Sequence, residues 1–493
     1  MRRIGLGILY AYLVGASLCP THEPPVARGA RSAPGGRASE GYVLFSPLLS
    51  TTTYLIDSRG RVVHTWEGDF APGVSVHLLD NGHLLRPARD PELPFFSGGG
   101  QGGRIQEFTW DGERVWDFVV GGRERMPHHD VAPLPGGNVL AIAWERKSRE
   151  EAIQAGRRPD RVTDAGLWPD WVLEIAPRPP TGGRIVWEWH VWDHLIQDRD
   201  PARSSYGRVS DHPELVDIDA DRAPSLTGEV MERLQALGYV LRGVSAPDLR
   251  PDFLHTNSIA YNPSLDQIAL SVSRFNELWI IDHGTTTAEA AAHSGGRAGR
   301  GGDLLYRWGN PRAYGRGSAE HQQIFAQHDV RWIPAGMSGE GNLMVFDNGS
   351  DRPGGAYSSV VEITPPFARD GSYSLRSGAA FGPARPTWTY TAPDQRSFFA
   401  DFLSGAHRLA NGDTFICSGP TGRFFEVTPQ GETVWEYDNP FSGDAPNPAG
   451  DPARSVFRAT RIPPDHPALV GRTLRPLDPQ PPLLGPRTLG RQR

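Results

Sequence analysis

The sequence predicts an all-β protein, a six-bladed β-propeller with a short helical insertion in the third blade. Three observations carry that prediction. A hydrophobic–acidic–hydrophobic strand recurs six times; each copy leads through a turn to a strand with two bulky rings two residues apart; and the last copy lacks a partner strand that the start of the chain can supply. At 493 residues the chain is too long for one ordinary compact core, which leaves several domains or one domain built of repeats. Its 57 Gly, 45 Pro and 14 Trp suit short strands joined by turns, not a helical bundle or a disordered chain. A formal net charge of -7 offers no global basic field, so nucleic acid is not an expected partner.

The recurring acidic strands are residues 54–57, 105–108, 172–175, 278–282, 360–363 and 424–427. The paired rings that follow are His64/Trp66, Trp116/Phe118, Trp187/Trp189, Tyr306/Trp308, Trp388/Tyr390 and Trp435/Tyr437. Residues two apart share one face of a strand, so each copy presents its pair to one packing surface. In five copies a glycine stands six residues before the second ring (Gly60, Gly112, Gly183, Gly302, Gly431). A third strand, usually with a His, then leads through a turn to an apolar fourth; Asn81-Gly82 and Asn411-Gly412 are hairpin signals. The sixth third-strand, residues 455–461, has no successor, and residues 41–45 can pair with it and close the ring. Between Trp189 and His255 the rhythm breaks. There Val230, Leu234 and Leu237 share a helical face ahead of Gly238, a natural C-cap, which predicts a short amphipathic helix that either walls the functional site or decorates the outside.

The ends read differently. Met1-Arg2-Arg3 and the apolar run to Leu18 predict a signal peptide over 1–18, too short for a comfortable membrane span, with a small-residue cleavage site near 14–16. Export to the periplasm or beyond is the expectation. Cys19 is a candidate lipid anchor, although Leu18 before it fits that signal poorly. Residues 19–40 read as a Pro/Gly/Arg-rich flexible tether, 41–462 as the propeller, and 463–493 as a Pro/Arg-rich tail, with both ends expected to be poorly ordered. Processing leaves Cys417 without an assured partner, so no internal disulfide framework is expected.

Innermost strands of a propeller line a central channel, so matching positions of different repeats converge there. His129, His255 and His328 each open the third strand of their repeat, and His-Asp-Val recurs at 129–131 and 328–330. Residues 252–274 read as strand, turn and strand, which brings Arg274 back to the rim that His255 occupies. A neutral imidazole beside a guanidinium suits a tetrahedral oxyanion. His407 and His77 sit further along their strands, and His128 faces away from His129 on a regular strand. Three readings stand open: a three-imidazole metal site, which Arg274 disfavours by its charge; separate structural histidines; or an oxyanion site with one nucleophilic imidazole. No Gly-x-Ser-x-Gly elbow, phosphate loop or dinucleotide fingerprint is evident. Asp217, Asp219 and Asp221 begin like a calcium loop, but Arg222 stands where its glycine belongs and Glu229 falls one residue late.

Residues 252–261 with 271–274 resemble the bacterial arylsulfotransferases, which work without a nucleotide sulfate donor. Residues 327–330 with 346–349, 128–131 with 134–138, 192–198 and 431–437 fit the same family, in consistent order over most of 41–462. The resemblance implies an exported six-bladed propeller that passes a sulfuryl group from an aryl sulfate to a phenol by a ping-pong route through a sulfohistidine, with no cofactor and no metal. Carried over by position, His328 is implied as the nucleophile, with His255, Arg274 and one of His128/His129 holding the sulfate; the repeat favours His129. Asn257 and His407 join His128 as candidate substrate-binding groups. Some members carry a separate N-terminal β-domain for dimerisation; here the repeat starts directly after the tether, which puts that route to a dimer in doubt. The alternatives are a non-enzymatic exported binding or scaffold propeller, and a metal-dependent hydrolase or lactonase using the same histidines.

Overall fold

In the computed structural model, residues 30–32, 38–93, 95–222, 226–368, 371–442 and 454–482 are described. The expected signal peptide, Cys19 and most of the tether lie outside them. Six antiparallel sheets form the blades, each of four strands, and Arg31–Ser32 of the tether adds a fifth outside Thr433–Asp438 in blade 6. From the innermost strand outward, blade 2 is His77–Leu78, Leu84–Arg89, Gly103–Phe108 and Arg114–Val119. Blade 3 is Arg125–Pro133, Val139–Glu145, Asp170–Arg178 and Gly182–His190. Blade 4 runs Thr256–Asn262, Gln267–Val272, Glu277–Asp282 and Tyr306–Trp308, and blade 5 runs His328–Trp332, Leu343–Asp347, Ser359–Ile363 and Trp388–Tyr390. Blade 6 is Gly405–Arg408, Thr414–Ser418, Arg423–Val427 and Thr433–Asp438. Blade 1 closes the ring as expected: Tyr42–Pro47, Thr52–Asp57 and Val62–Glu67 take Val456–Ile462 as their innermost strand, with Val43 opposite Arg461 and Phe45 opposite Ala459.

The sequence repeat and the folded blade are out of phase by two strands. The third strand of each repeat is innermost, and the acidic and aromatic strands of the next repeat complete its sheet. The insertion that interrupts the third repeat therefore joins the outer edge of blade 3 to the inner strand of blade 4.

Blade strands read as nearly continuous apolar runs because both faces are covered. In blade 5, Leu343 and Val345 pack on blade 4 with Leu278 and Ile280, while Met344 and Phe346 pack on blade 6 with Ile416 and Phe425. A similar core fills each of the other four gaps. The aromatic pairs add directed bonds between blades. Indole N–H groups of Trp66, Trp116, Trp189, Trp308, Trp388 and Trp435 donate to the backbone carbonyls of Thr109, Gly182, Gly302, Pro383, Pro429 and Ser58, at 2.6–3.1 Å. Each acceptor lies in the following blade, so the six bonds run once around the ring.

Two further elements position the site. The predicted helix forms at Gly228–Ala236, capped by the Thr227 side chain and followed by Gly238 at φ 75°. Its Met231 and Leu234 pack with Leu48, Val74, Phe402 and Phe457 from blades 1, 2 and 6, which lays the helix across one mouth of the channel. Of the two expectations for this insertion, the wall is the one realised. The tail differs from expectation through residue 482: Ala468 and Leu469 are buried against blades 1 and 2, and the Leu477 N–H and Gln480 bond to Val62. Apolar side chains within a Pro-rich stretch found an open outer edge to cover.

On the axis Arg458, from the inner strand of blade 1, donates to Asp130 of blade 3 at 2.5 Å and to Asp329 of blade 5 at 2.9 Å. Asp130 also accepts the Ile259 N–H, and Asp329 the Ala406 N–H. Burial would raise the Asp130 pKa, but Arg458 and His77 overcome it and hold the carboxyl at about 2. Removing one partner of a buried pair leaves an uncompensated charge. Arg458→Met is expected to destabilise the protein by about 3–5 kcal/mol, read as a lowered urea midpoint at unchanged slope.

Candidate active site

Beneath the helix lies a cavity of about 140 Å³, walled by Tyr239, His255, Arg274, His328 and Phe402, with Leu234 above. The innermost strands that deliver its side chains start irregularly. In blade 3, Val131 pairs with Ala141 but Pro127 with Ala143, so residues 128–130 bulge; in blade 4 the register shifts at Asn257, and in blade 5 between His328 and Arg331. His129, His255 and Asp329 take left-handed backbone at φ 56°, 52° and 56°. Such conformations cost about 1–3 kcal/mol each and survive where surroundings over-determine them. Here the bulges aim the imidazoles that regular pleating would turn elsewhere.

His255 Nδ1 lies 2.5 Å from Asp252 Oδ2, and its Nε2 lies 3.0 Å from the Tyr239 hydroxyl. That hydroxyl is also 2.7 Å from His129 Nε2. His129 Nδ1 meets His128 Nδ1 at 2.7 Å, and His128 stacks on Trp144 with ring centres 4.1 Å apart. Arg274 donates to the backbone carbonyls of Asp252 and Leu249, and its guanidinium stands 3.6 Å from Asp252 Oδ2. Asp252 takes a further bond from the Trp144 indole at 3.0 Å. Burial alone would raise the Asp252 pKa, yet Arg274 and His255 hold it well below the carboxylate range. Burial, reinforced by His255, His128 and His328, pushes His129 well below the ordinary imidazole range.

His328 is oriented mainly through Nδ1. Its Nδ1 faces Asn348 Oδ1 at 2.8 Å and the Ala326 carbonyl at 3.3 Å. The Asn348 amide is turned by its own donations to the carbonyls of Ala400 and Leu403. With two acceptors before it, Nδ1 carries the hydrogen, and Nε2 keeps its lone pair. The Leu403 N–H approaches Nε2 at a long 3.3 Å. Burial lowers the His328 pKa to about 3 against the opposing pull of Asn348, so the ring is neutral over any ordinary pH.

The structure thus brings together His129, His255, Arg274 and His328 as expected, and separates three others. His128 is sealed between Trp144 and Asp170 and does not line the cavity. Asn257 donates to the Gln327 carbonyl, steadying the strand that carries His328. His407 is corrected outright: it lies beyond the Asp329 layer, accepting the Arg461 N–H at 3.1 Å, beside the opposite mouth of the channel. Its strand starts two residues earlier, and that slip along the axis carries it past the site. Sequence reasoning missed Tyr239, Asp252 as the partner of His255, and Asn348. One signal was available in Gly98-Gly99-Gly100. A Cβ on Gly99 would lie 2.4 Å from the Tyr239 ring and one on Gly100 2.5 Å from the His129 ring, so backbone must pass close to both.

The axial imidazoles do not surround a common point, because the Tyr239 hydroxyl stands between His129 and His255. Among the described residues, the group close enough to share a metal ion is His194, His293 and Asp303, away from the axis. Its bonds close without an ion: both Nδ1 atoms reach Asp303 Oδ1, at 2.8 and 2.7 Å, and His194 Nε2 reaches the Ala290 carbonyl. Asp219 and Asp221, two of the three aspartates of the calcium-like stretch, are taken up by Arg157, Arg158 and Arg161.

The axial cavity of this six-bladed propeller is walled by the imidazoles of His255 and His328 and the guanidinium of Arg274, a lining complementary to an anionic group. The family model for arylsulfotransferases (ASST) matches residues 42–439, and the chain belongs to that family. It is a transferase with aryl sulfotransferase activity. Similar solved structures include a protein of unknown function from Bacteroides caccae, 12% identical, covering 81% of this chain and 94% of its own at a TM-score of 0.41. A Lactobacillus plantarum protein is 10% identical (82% and 85% covered, TM-score 0.38), and apo AztD from Citrobacter koseri 8% (86% and 98%, TM-score 0.34). Comparison with curated proteins finds none that matches.

A pH test follows from His328. Its folded pKa lies below the unfolded value of 6.5, so the unfolded chain binds the extra proton and stability falls as pH drops from about 6.5 toward 3. His328→Gln should lose less stability between pH 7 and 5 than wild type, measured by urea denaturation at each pH.

Proposed function

We propose that the enzyme works by a ping-pong route through a sulfohistidine on His328, in the periplasm or outside the cell. The observation that carries this reading is the neutral imidazole whose Nδ1–H is spent on Asn348, leaving at the cavity an unprotonated Nε2 that accepts the long 3.3 Å bond from the Leu403 N–H. In the first half-reaction His328 Nε2 bonds to sulfur as the sulfur–oxygen bond of the aryl sulfate breaks and the phenolate departs. In the second, an acceptor phenol gives up its proton, its oxygen bonds to sulfur, and the nitrogen–sulfur bond breaks.

Sulfuryl transfer is loose, like phosphoryl transfer, so positioning and charge supply most of the catalysis. Arg274 and His255 are the groups that face the sulfate oxygens. A phenol leaves tolerably, its pKa being about 10, and an imidazolium beside the bridging oxygen eases it further. Leu234, Val240, Leu249 and Phe402 offer an apolar wall for the aryl ring. No nucleotide or metal enters this route.

Brief exposure to a chromogenic aryl sulfate, followed by intact-mass analysis, is expected to show one added SO₃ on wild type and none on His328→Ala, which also loses transfer to phenol. No mass gain on wild type, or undiminished transfer by the variant, overturns the role of His328. Export is checked separately: N-terminal sequencing of protein from the periplasmic fraction should begin after the apolar segment, and an intact Met1 there would contradict processing.

A further inference from the structure

The Tyr239 hydroxyl holds one hydrogen and faces two imidazole nitrogens, His129 Nε2 at 2.7 Å and His255 Nε2 at 3.0 Å. It can donate to one of them; the other must bring its own N–H. His129 is neutral, for the burial and neighbouring rings already described. His128 Nε2 stands 3.3 Å from the Asp170 carboxylate, so the His128 hydrogen sits there and its Nδ1 can only accept; across their 2.7 Å approach His129 Nδ1 must donate, which leaves His129 Nε2 as the acceptor. Tyr239 therefore donates to His129 and accepts from His255. His255 Nδ1 already faces the Asp252 carboxylate at 2.5 Å. His255 thus carries hydrogen on both nitrogens, an imidazolium paired with Asp252.

We propose that Tyr239, supplied by the insertion, is a positioning residue that keeps the transferable proton on His255 Nε2, so that His255 protonates the departing phenolate and takes the proton back from the acceptor phenol. Protons balance over the cycle: one leaves His255 with the first phenol and one returns from the second. This rests on the sulfohistidine reading and adds to it which imidazole is the acid and what makes it so.

The charged and titratable groups around this pair come from several elements. Asp252 and Arg274 flank His255, Arg89 lies beside Tyr239, and His129 and His328 complete the ring. Burial, with Asp252 adding to it, raises the Tyr239 pKa well above that of a free phenol, so its hydroxyl stays protonated. Tyr239 is also built in firmly: its N–H and the next bond to the Leu234 carbonyl at the helix end, its carbonyl accepts from Gly100, and its ring packs against Phe402.

The test uses the leaving-group dependence of the first half-reaction. An acid that protonates the phenolate matters most for a poor leaving group and little for an activated one. Tyr239→Phe keeps the ring and removes the hydroxyl. It should lower kcat/KM about 100-fold for phenyl sulfate, the low end of what a positioned acid contributes, and only a few-fold for 4-nitrophenyl sulfate. A loss of equal size on both donors, or none on either, overturns the proposal. Wild type provides a check independent of the variant's folding: its log kcat/KM should vary only weakly with the pKa of the leaving phenol, and a steep dependence overturns the assignment. Wild type inert toward every aryl sulfate would instead sink the sulfotransfer reading on which this one stands.

Discussion

The contact on which this architecture depends most is the buried knot of Arg458 with Asp130 and Asp329. One cation cannot neutralise two carboxylates at a channel axis unless all three arrive at fixed heights, so the knot sets the axial register of blades 1, 3 and 5. Each aspartate follows a site histidine in the chain. With Asp130 and Asp329 pinned inward, the backbone leaves the pleat at His129 in blade 3 and at Asp329 itself in blade 5; His328 meets the cavity, and His129 reaches its wall through Tyr239. The strain at φ near 55° is held by carboxylates that cannot leave their partner. A buried ion group of this kind is weak evidence for stability and better evidence for a specified register.

Around that knot the ring is closed by repetition. Six apolar seams give the bulk of the burial, and six indole donors direct each blade onto the next. Hydrophobic burial is non-directional, whereas an indole N–H aimed at one carbonyl is not. Together they explain why the aromatic pairs recur in every copy though they touch no substrate cavity.

The chemistry is imposed on the scaffold by what is not repeated. The insertion helix roofs the channel and delivers Tyr239; Asn348 sets the tautomer of His328; Asp252 and Arg274 charge the wall. Much of the scaffold was legible. Blade number, the closing strand and the helix could be read because periodicity and patterning are local. The convergence of His129, His255 and His328 followed from equivalence among repeats. The offset of His407 along its strand was legible too, and those two residues carry it to the other mouth; what failed was its assignment as a substrate-binding group.

By itself the sequence determined the six-fold repeat, the order in which strands pair, the family, and the histidines and arginine that gather at the axis, because those depend on spacing along one chain. Only the tertiary structure decided what each nitrogen of the site imidazoles meets, that the recurring aspartates tie blades together, and that Tyr239 stands between His129 and His255. Those outcomes turn on hydrogen-bond partners up to 328 residues apart. No local pattern encodes them, since they arise when strands distant in sequence are brought to one axis and denied water.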